Sequence, residues 1–241
     1  MQLTPTVKTK TLLALVTTIV LWSSSLVGIR IGLKSFDAGS LALLRYLSAS
    51  LCMLLIFLKF GKHNKPNIKE LGMIFLAGII GFSIYNIALM QGEMTIDPGT
   101  ASFILTQIPV AMIVLAMIFL QERLNIYGWL GIAISILGVG LIAIGKSEAA
   151  HSDIKINVGI FYLLIAVLCH ATYSIMNKPL LRKFTSIEFT TYAMWCGTLA
   201  LLVYIPSLSH EIVHASMKAI FAGIYIGIFP AAIGYLTWSY A

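Results

Sequence analysis

Charge is scarce in this chain. Only 10% of its 241 residues are Asp, Glu, Lys or Arg, while 59% are hydrophobic. A globular surface in water needs a far larger charged share, which excludes a soluble domain. Acidic residues are the scarcer kind, nine against sixteen Lys and Arg. None is expected deep within an apolar run, which argues against proton coupling through a membrane-embedded carboxylate. Cysteine is limited to Cys52, Cys169 and Cys196, all within apolar runs, so the cysteines form neither a disulfide framework nor a zinc spacing. No paired aspartate and no GxSG-type serine accompanies His170, so an intramembrane enzyme is a remote alternative. No metal and no cofactor is expected. Alternating ten-residue segments are also absent, which excludes a membrane β-barrel.

Long apolar runs are what the chain has instead, and its mean hydropathy is +0.94. A helix crossing roughly 30 Å of hydrocarbon needs about 20 mostly apolar residues. Eight runs qualify: 11–33, 38–60, 70–92, 98–120, 125–145, 157–178, 187–206 and 217–241. Lipid cannot satisfy backbone N–H and C=O groups, so each run is expected to be a helix. The chain therefore reads as an all-α polytopic membrane protein. The opening "KTK" resembles the start of a signal peptide, but the run behind it exceeds 20 residues and more spans follow, so it reads as an uncleaved first helix.

The net charge of +7 is a topology signal rather than a nucleic-acid footprint. With the N-terminus in the cytoplasm, the inner side holds Lys8, Lys10, Lys59, Lys62, Lys65, Lys69, Arg123, Lys178, Arg182 and Lys183. The outer side holds Arg30, Lys34, Lys146, Lys155 and Lys218, and Arg45 falls within a span. Basic residues concentrate on the cytoplasmic side of membrane proteins, so the N-terminus is expected inside.

The sequence also repeats itself weakly. At an offset of 149, Gly78 meets Gly227, Ile79 meets Ile228 and Ile84 meets Ile233. An offset of 147 pairs 21–33 with 168–180 and carries span 2 onto span 7. The unit is five spans, so a second copy enters the membrane from the opposite side. Such inverted repeats are typical of secondary transporters. The expected division is 1–147 for the first unit and 148–241 for the second. On that register the second unit is two helices, or about 53 residues, short of the first.

The stretch "DPGTASFILTQIPVAMIVLAMIFLQERLNIYGWLGIAISILGVGLIAIG" (97–145) carries a small-residue Ala101–Ser102 pair, a mid-span Pro109 and a Glu122–Arg123 pair. Gly131 and Gly138–Val139 follow in a Gly-rich span. With Leu21–Trp22 in span 1 and Arg45 in span 2, this resembles the EamA-like branch of the drug/metabolite transporter superfamily. Ser23 stands where that family usually has Gly. The resemblance implies ten helices in two inverted five-helix repeats, of which the last two would be missing here. It also implies a multi-pass protein of the cell (inner) membrane and alternating-access export of small metabolites such as amino acids. Spans 1, 3, 4, 6, 8 and 9 would enclose the central cavity. A shortened, non-transporting remnant of such a carrier is the alternative. The partners implied are the lipid bilayer and a small-molecule solute, with no nucleic acid; a homodimer is left open.

Polar groups at bilayer depth are expensive and face protein or a water-filled cavity. The best stripe lies in span 6, where His170, Tyr173, Ser174 and Asn177 share one helix face. The matching face of span 1 is expected to carry Ser23, Leu26, Val27 and Arg30. Span 3 offers Tyr85 and Asn86, span 4 offers Thr106 and Gln107, and span 8 offers Trp238. Together with Trp22, Ser23, His170, Tyr173 and Asn177 these are the cavity candidates. Each has a plainer reading, a hydrogen bond across a helix contact or, for Trp238, an interfacial aromatic. His170 reads as a neutral, hydrogen-bonded residue before it reads as a proton carrier. Arg45 is expected to snorkel or brace the structure rather than bind a carboxylate or phosphate. Pro109 and Pro230 each free a carbonyl within a span and are the candidate kink or gating points. Asp37, Asp97 and Thr185 are expected helix caps, with "TSIE" (185–188) a capping box. Gly28–Gly32 and Gly223–Gly227 have the spacing of close helix contacts.

Overall fold

The computed structural model describes residues 5–62, 64–119, 121, 124–149 and 158–240. The Glu122–Arg123 pair lies outside the described residues. Within them the chain is helical, with no strand. Helices α1 (Pro5–Gly32), α2 (Ala38–Phe60) and α3 (Ile68–Thr95) come first. Then follow α4 (Pro98–Phe119), α5 (Ile126–Ala149), α6 (Val158–Leu180), α7 (Ser186–His214) and α8 (Met217–Tyr240). Seven of these are long and apolar enough to cross a membrane; in α5 the apolar part described is Ile126–Gly138. The chain is thus a multi-pass membrane protein.

Helix starts follow local chemistry. Asp37 Oδ1 accepts from the Ser40 amide at 2.6 Å, and Asp97 Oδ1 accepts from the Thr100 amide at 3.0 Å. Each satisfies an amide that the helix leaves without a carbonyl. Pro98 occupies the first turn, where no amide is needed. Thr185 and Glu188 form the expected capping box. A second one, Asn67 with Glu70, opens α3, where the sequence reads "NIKE".

Three helices are irregular inside the bundle. α4 breaks at Thr106–Gln107 and resumes at Ile108, just before Pro109, which has no N–H to give Leu105. α3 loosens to a π-helix over Ile79–Ile84, and α8 does the same over Gly227–Ile233, around Pro230. Both proline sites therefore coincide with irregular backbone. α7 runs past its expected end at 206 to His214, through a 3₁₀ turn at Leu202–Tyr204 and a fresh α-helical start at Ile205, with Pro206 in its first turn.

α1 packs on α8, α6 on α3 and α4, and α2 lies between α7 and α8. Thr18 and Thr237 share a 2.7 Å hydrogen bond between α1 and α8. Ser50 and Thr198 share one of 2.7 Å between α2 and α7. Glycines set the closest approaches. A Cβ on Gly78 would strike the Ala193 carbonyl oxygen, and one on Gly227 would strike the Arg45 carbonyl oxygen. Phe82 anchors the centre, with ring centroids 4.8 Å from Tyr235, 5.0 Å from Tyr173 and 5.5 Å from Tyr46. Edge-to-face contacts of this kind add to plain area burial. Outward faces carry exposed Leu, Ile, Val and Phe, as a lipid-facing surface requires.

Candidate functional site

Six helices converge on a cavity of about 490 Å³ beside this aromatic centre. α1 contributes Ile19, Trp22, Ser23, Ser25 and Leu26; α3 contributes Tyr85 and Leu89. α6 supplies His170, α8 supplies Tyr235 and Trp238, and α2 supplies Arg45. The remaining wall is α4 around its break, from Ser102 and Thr106 to Pro109 and Met112. The volume lies in the range of small-molecule sites, which combine apolar walls with a few convergent polar groups.

Trp22 organises the site. Its ring lies 5.3 Å from His170, edge-on, 5.4 Å from Tyr235 and 5.5 Å from Trp238. Its Nε1–H donates to the Pro230 carbonyl at 3.1 Å, within the π-helical stretch of α8. The irregular backbone thus offers a carbonyl that holds the indole in place. Trp238 belongs to this cluster, whereas Tyr240 is exposed.

Of the residues singled out from the sequence, Trp22, Ser23, Tyr85, Thr106, His170 and Trp238 line the cavity, as does Pro109. The others do not. Asn86 donates to the Tyr46 hydroxyl at 2.7 Å and the Phe82 carbonyl at 2.9 Å, fastening α3 to α2. Gln107 accepts from Ser135 Oγ at 2.9 Å and so bridges α4 to α5. Tyr173 and Asn177 are buried on the predicted face of α6 but are outside the lining, and Pro230 acts through its carbonyl.

Four expectations are corrected. Arg45 does not snorkel: it is 2% exposed and lines the cavity, with Nε and Nη1 free of any protein hydrogen bond. His170 is 1% exposed, and neither ring nitrogen has a protein partner, so it is not the hydrogen-bonded residue expected. The buried face of α1 runs through Thr18, Ser25 and Ile29, while Val27 is 60% exposed. α3 continues to Thr95 and carries Glu93 inside it, wholly buried, so the chain does bury a carboxylate. Glu93 shares a second pocket, of about 230 Å³, with Arg30 and Lys34. Arg30 donates to the Glu93 and Ile96 carbonyls, fixing α1 against the end of α3.

The EamA-like transporter family model matches residues 9–144 and 157–241. The chain is 36% identical to the uncharacterized transporter YdfC of Bacillus subtilis, over 91% of this chain and 70% of that one. It is 34% identical to a probable terminal-alkyne amino-acid exporter of Streptantibioticus cattleyicolor, covering 96% and 76%. An uncharacterized transporter of Archaeoglobus fulgidus is 30% identical over 95% and 79%. A solved crystal structure shares the fold, with a TM-score of 0.66 at 17% identity, covering 97% of this chain and 78% of that one.

Proposed function

The chain belongs to the EamA-like transporter family, and from that premise we propose that it is a secondary carrier exporting amino acids or related small solutes by alternating access. The observation that carries this reading is the cavity itself. It is lined by side chains from six helices, walled by aromatic rings, and large enough for an amino acid. The name of the 34% identical relative, an amino-acid exporter, favours the same solute class. Trp22, Ser23, Tyr85, Thr106, His170 and Trp238 are the proposed contacts. Asn86, Gln107, Tyr173 and Asn177 act behind them, holding the helices that carry the contacts.

The proposed motion is one repeat rocking on the other, with units 1–147 and 148–241 in inverted topology. Three observations support it. The family model matches two stretches, one within each unit. The π-helical stretches Ile79–Ile84 and Gly227–Ile233 begin 148 residues apart, close to the sequence offset. Packing is mirrored, since Gly78 meets Ala193 on α7 while Gly227 meets Arg45 on α2. Pro109 and Pro230 are the proposed hinges. The setting is the inner membrane with a cytoplasmic N-terminus, favoured by the distribution of Lys and Arg.

Counterflow in proteoliposomes loaded with a panel of amino acids tests the reading. Uptake of at least one labelled solute above empty vesicles is expected, and Trp22→Ala is expected to abolish it. Background flux for the whole panel would sink the carrier assignment.

A further inference from the structure

Taking the carrier reading as its basis, we infer that the cavity selects solutes with one carboxylate and an apolar body, and that Arg45 holds the carboxylate. Arg45 is the cavity's charged side chain, and among the described lining residues there is no Asp or Glu. It lies seven residues into α2, roughly 10 Å from the helix start. At that depth Nε and Nη1 are buried without a protein acceptor. A buried cation with unmade hydrogen bonds is costly, and the cost falls when an anion arrives. The guanidinium presents a planar fork of donors that matches the two oxygens of a carboxylate.

Among the described residues, Glu93 on α3 feels the charges of both Arg45 on α2 and Arg30 on α1, but it does not satisfy the fork. Both of its oxygens lack a hydrogen-bond partner, and it opens on the smaller pocket beside Arg30 rather than on the cavity. The cavity therefore keeps a positive group. The rest of its wall is largely aromatic and aliphatic: Trp22, Tyr85, His170, Tyr235 and Trp238 present rings, and Leu26, Leu89 and Met112 complete it. With no acidic group in the lining, an amine is not recognised by charge pairing. An ammonium beside the carboxylate is tolerated against the rings, where cation–π attraction is modest. Cations without a carboxylate are repelled, and a doubly charged phosphate meets one cation where it needs several.

Binding to the purified full-length chain in detergent tests this, read as thermal stabilisation. The probes are acids paired with their uncharged or cationic counterparts: L-phenylalanine with L-phenylalaninamide and 2-phenylethylamine, L-leucine with L-leucinamide, and 4-phenylbutyrate with 4-phenylbutylamine. At least one acid is expected to stabilise the protein while its partners do not. Arg45→Gln is expected to weaken that acid by about tenfold or more, the worth of a charge-assisted hydrogen bond, and Arg45→Lys by less. Equal binding of acid and amide, no acid binding in any pair, or an unchanged midpoint in Arg45→Gln would overturn it. The comparison of acid with amide needs only the wild-type chain, so a variant that fails to fold leaves the test intact. Flux in proteoliposomes separates the two readings. Transport of 2-phenylethylamine but of no acid keeps the carrier and removes the carboxylate site. Acid-selective binding without flux does the reverse.

Discussion

Trp22 shows how one side chain couples local backbone to the cavity. Its ring forms part of the wall, while its N–H is spent on the Pro230 carbonyl. The two roles separate by mutation. Trp22→Phe removes the hydrogen bond and keeps most of the ring, so a loss of about 1 kcal/mol is expected. Trp22→Ala removes both, with a loss of about 3 kcal/mol. Melting in detergent ranks them, and equal melting temperatures would mean that the hydrogen bond dominates. Trp22 was legible because the resemblance drew attention to it. Arg45 was visible but misread, because position along a helix gives depth and not direction. Its direction is fixed by α7 and α8 packing on two faces of α2. Glu93 was missed for a smaller reason. The apolar run stops at 92, but the hydrogen-bond ladder continues to Thr95 and takes the carboxylate inside.

Helices were the most legible elements, since lipid leaves the backbone no other solution and the caps are written locally. Their rotation was not. Lipid is as apolar as a Leu-rich protein interface, so hydrophobicity does not tell the buried face of α1 from the outer one. Glycine marks contact more reliably. Gly78→Ala and Gly227→Ala each place a methyl group against a neighbouring backbone carbonyl that has no rotamer to yield. Each is expected to cost about 1–3 kcal/mol. Gly72 on the same α3 has no neighbour within 4 Å of a built Cβ. Gly72→Ala is therefore expected to leave the melting temperature unchanged or raised, since alanine favours the helix. A drop as large as that of Gly78→Ala would show that helix chemistry, not packing, sets these positions.

At the scale of the whole molecule, orientation follows from charge and is open to a direct check. Lys34 and Lys69 are exposed near opposite ends of the bundle. In intact cells, Lys34→Cys is expected to react with a membrane-impermeant maleimide, while Lys69→Cys reacts only after permeabilisation. The opposite pattern would invert the topology. The exposed ion pair of Lys183 and Glu70, 2.7 Å apart, is screened by solvent and braces α3 rather than sets the fold. The π-helical stretch of α3 has a larger reach. A π turn holds more residues than an α turn, so Ile79–Ile84 takes up an extra residue without turning everything beyond it. Deleting one residue there should restore a plain α-helix and leave its far half in phase, whereas deleting one from the α-helical stretch Ile68–Gly78 should turn the far half against the near one by about 100°. In that second variant Tyr85 and Leu89 would swing out of the wall, while the sequence of every other helix stayed intact. The first deletion is expected to keep solute binding and the second to abolish it with the protein still inserted, which surface labelling and the thermal assay would read separately. The cavity is in this sense a matter of counting: its composition is carried by six helices, but its alignment turns on one residue's worth of angular phase.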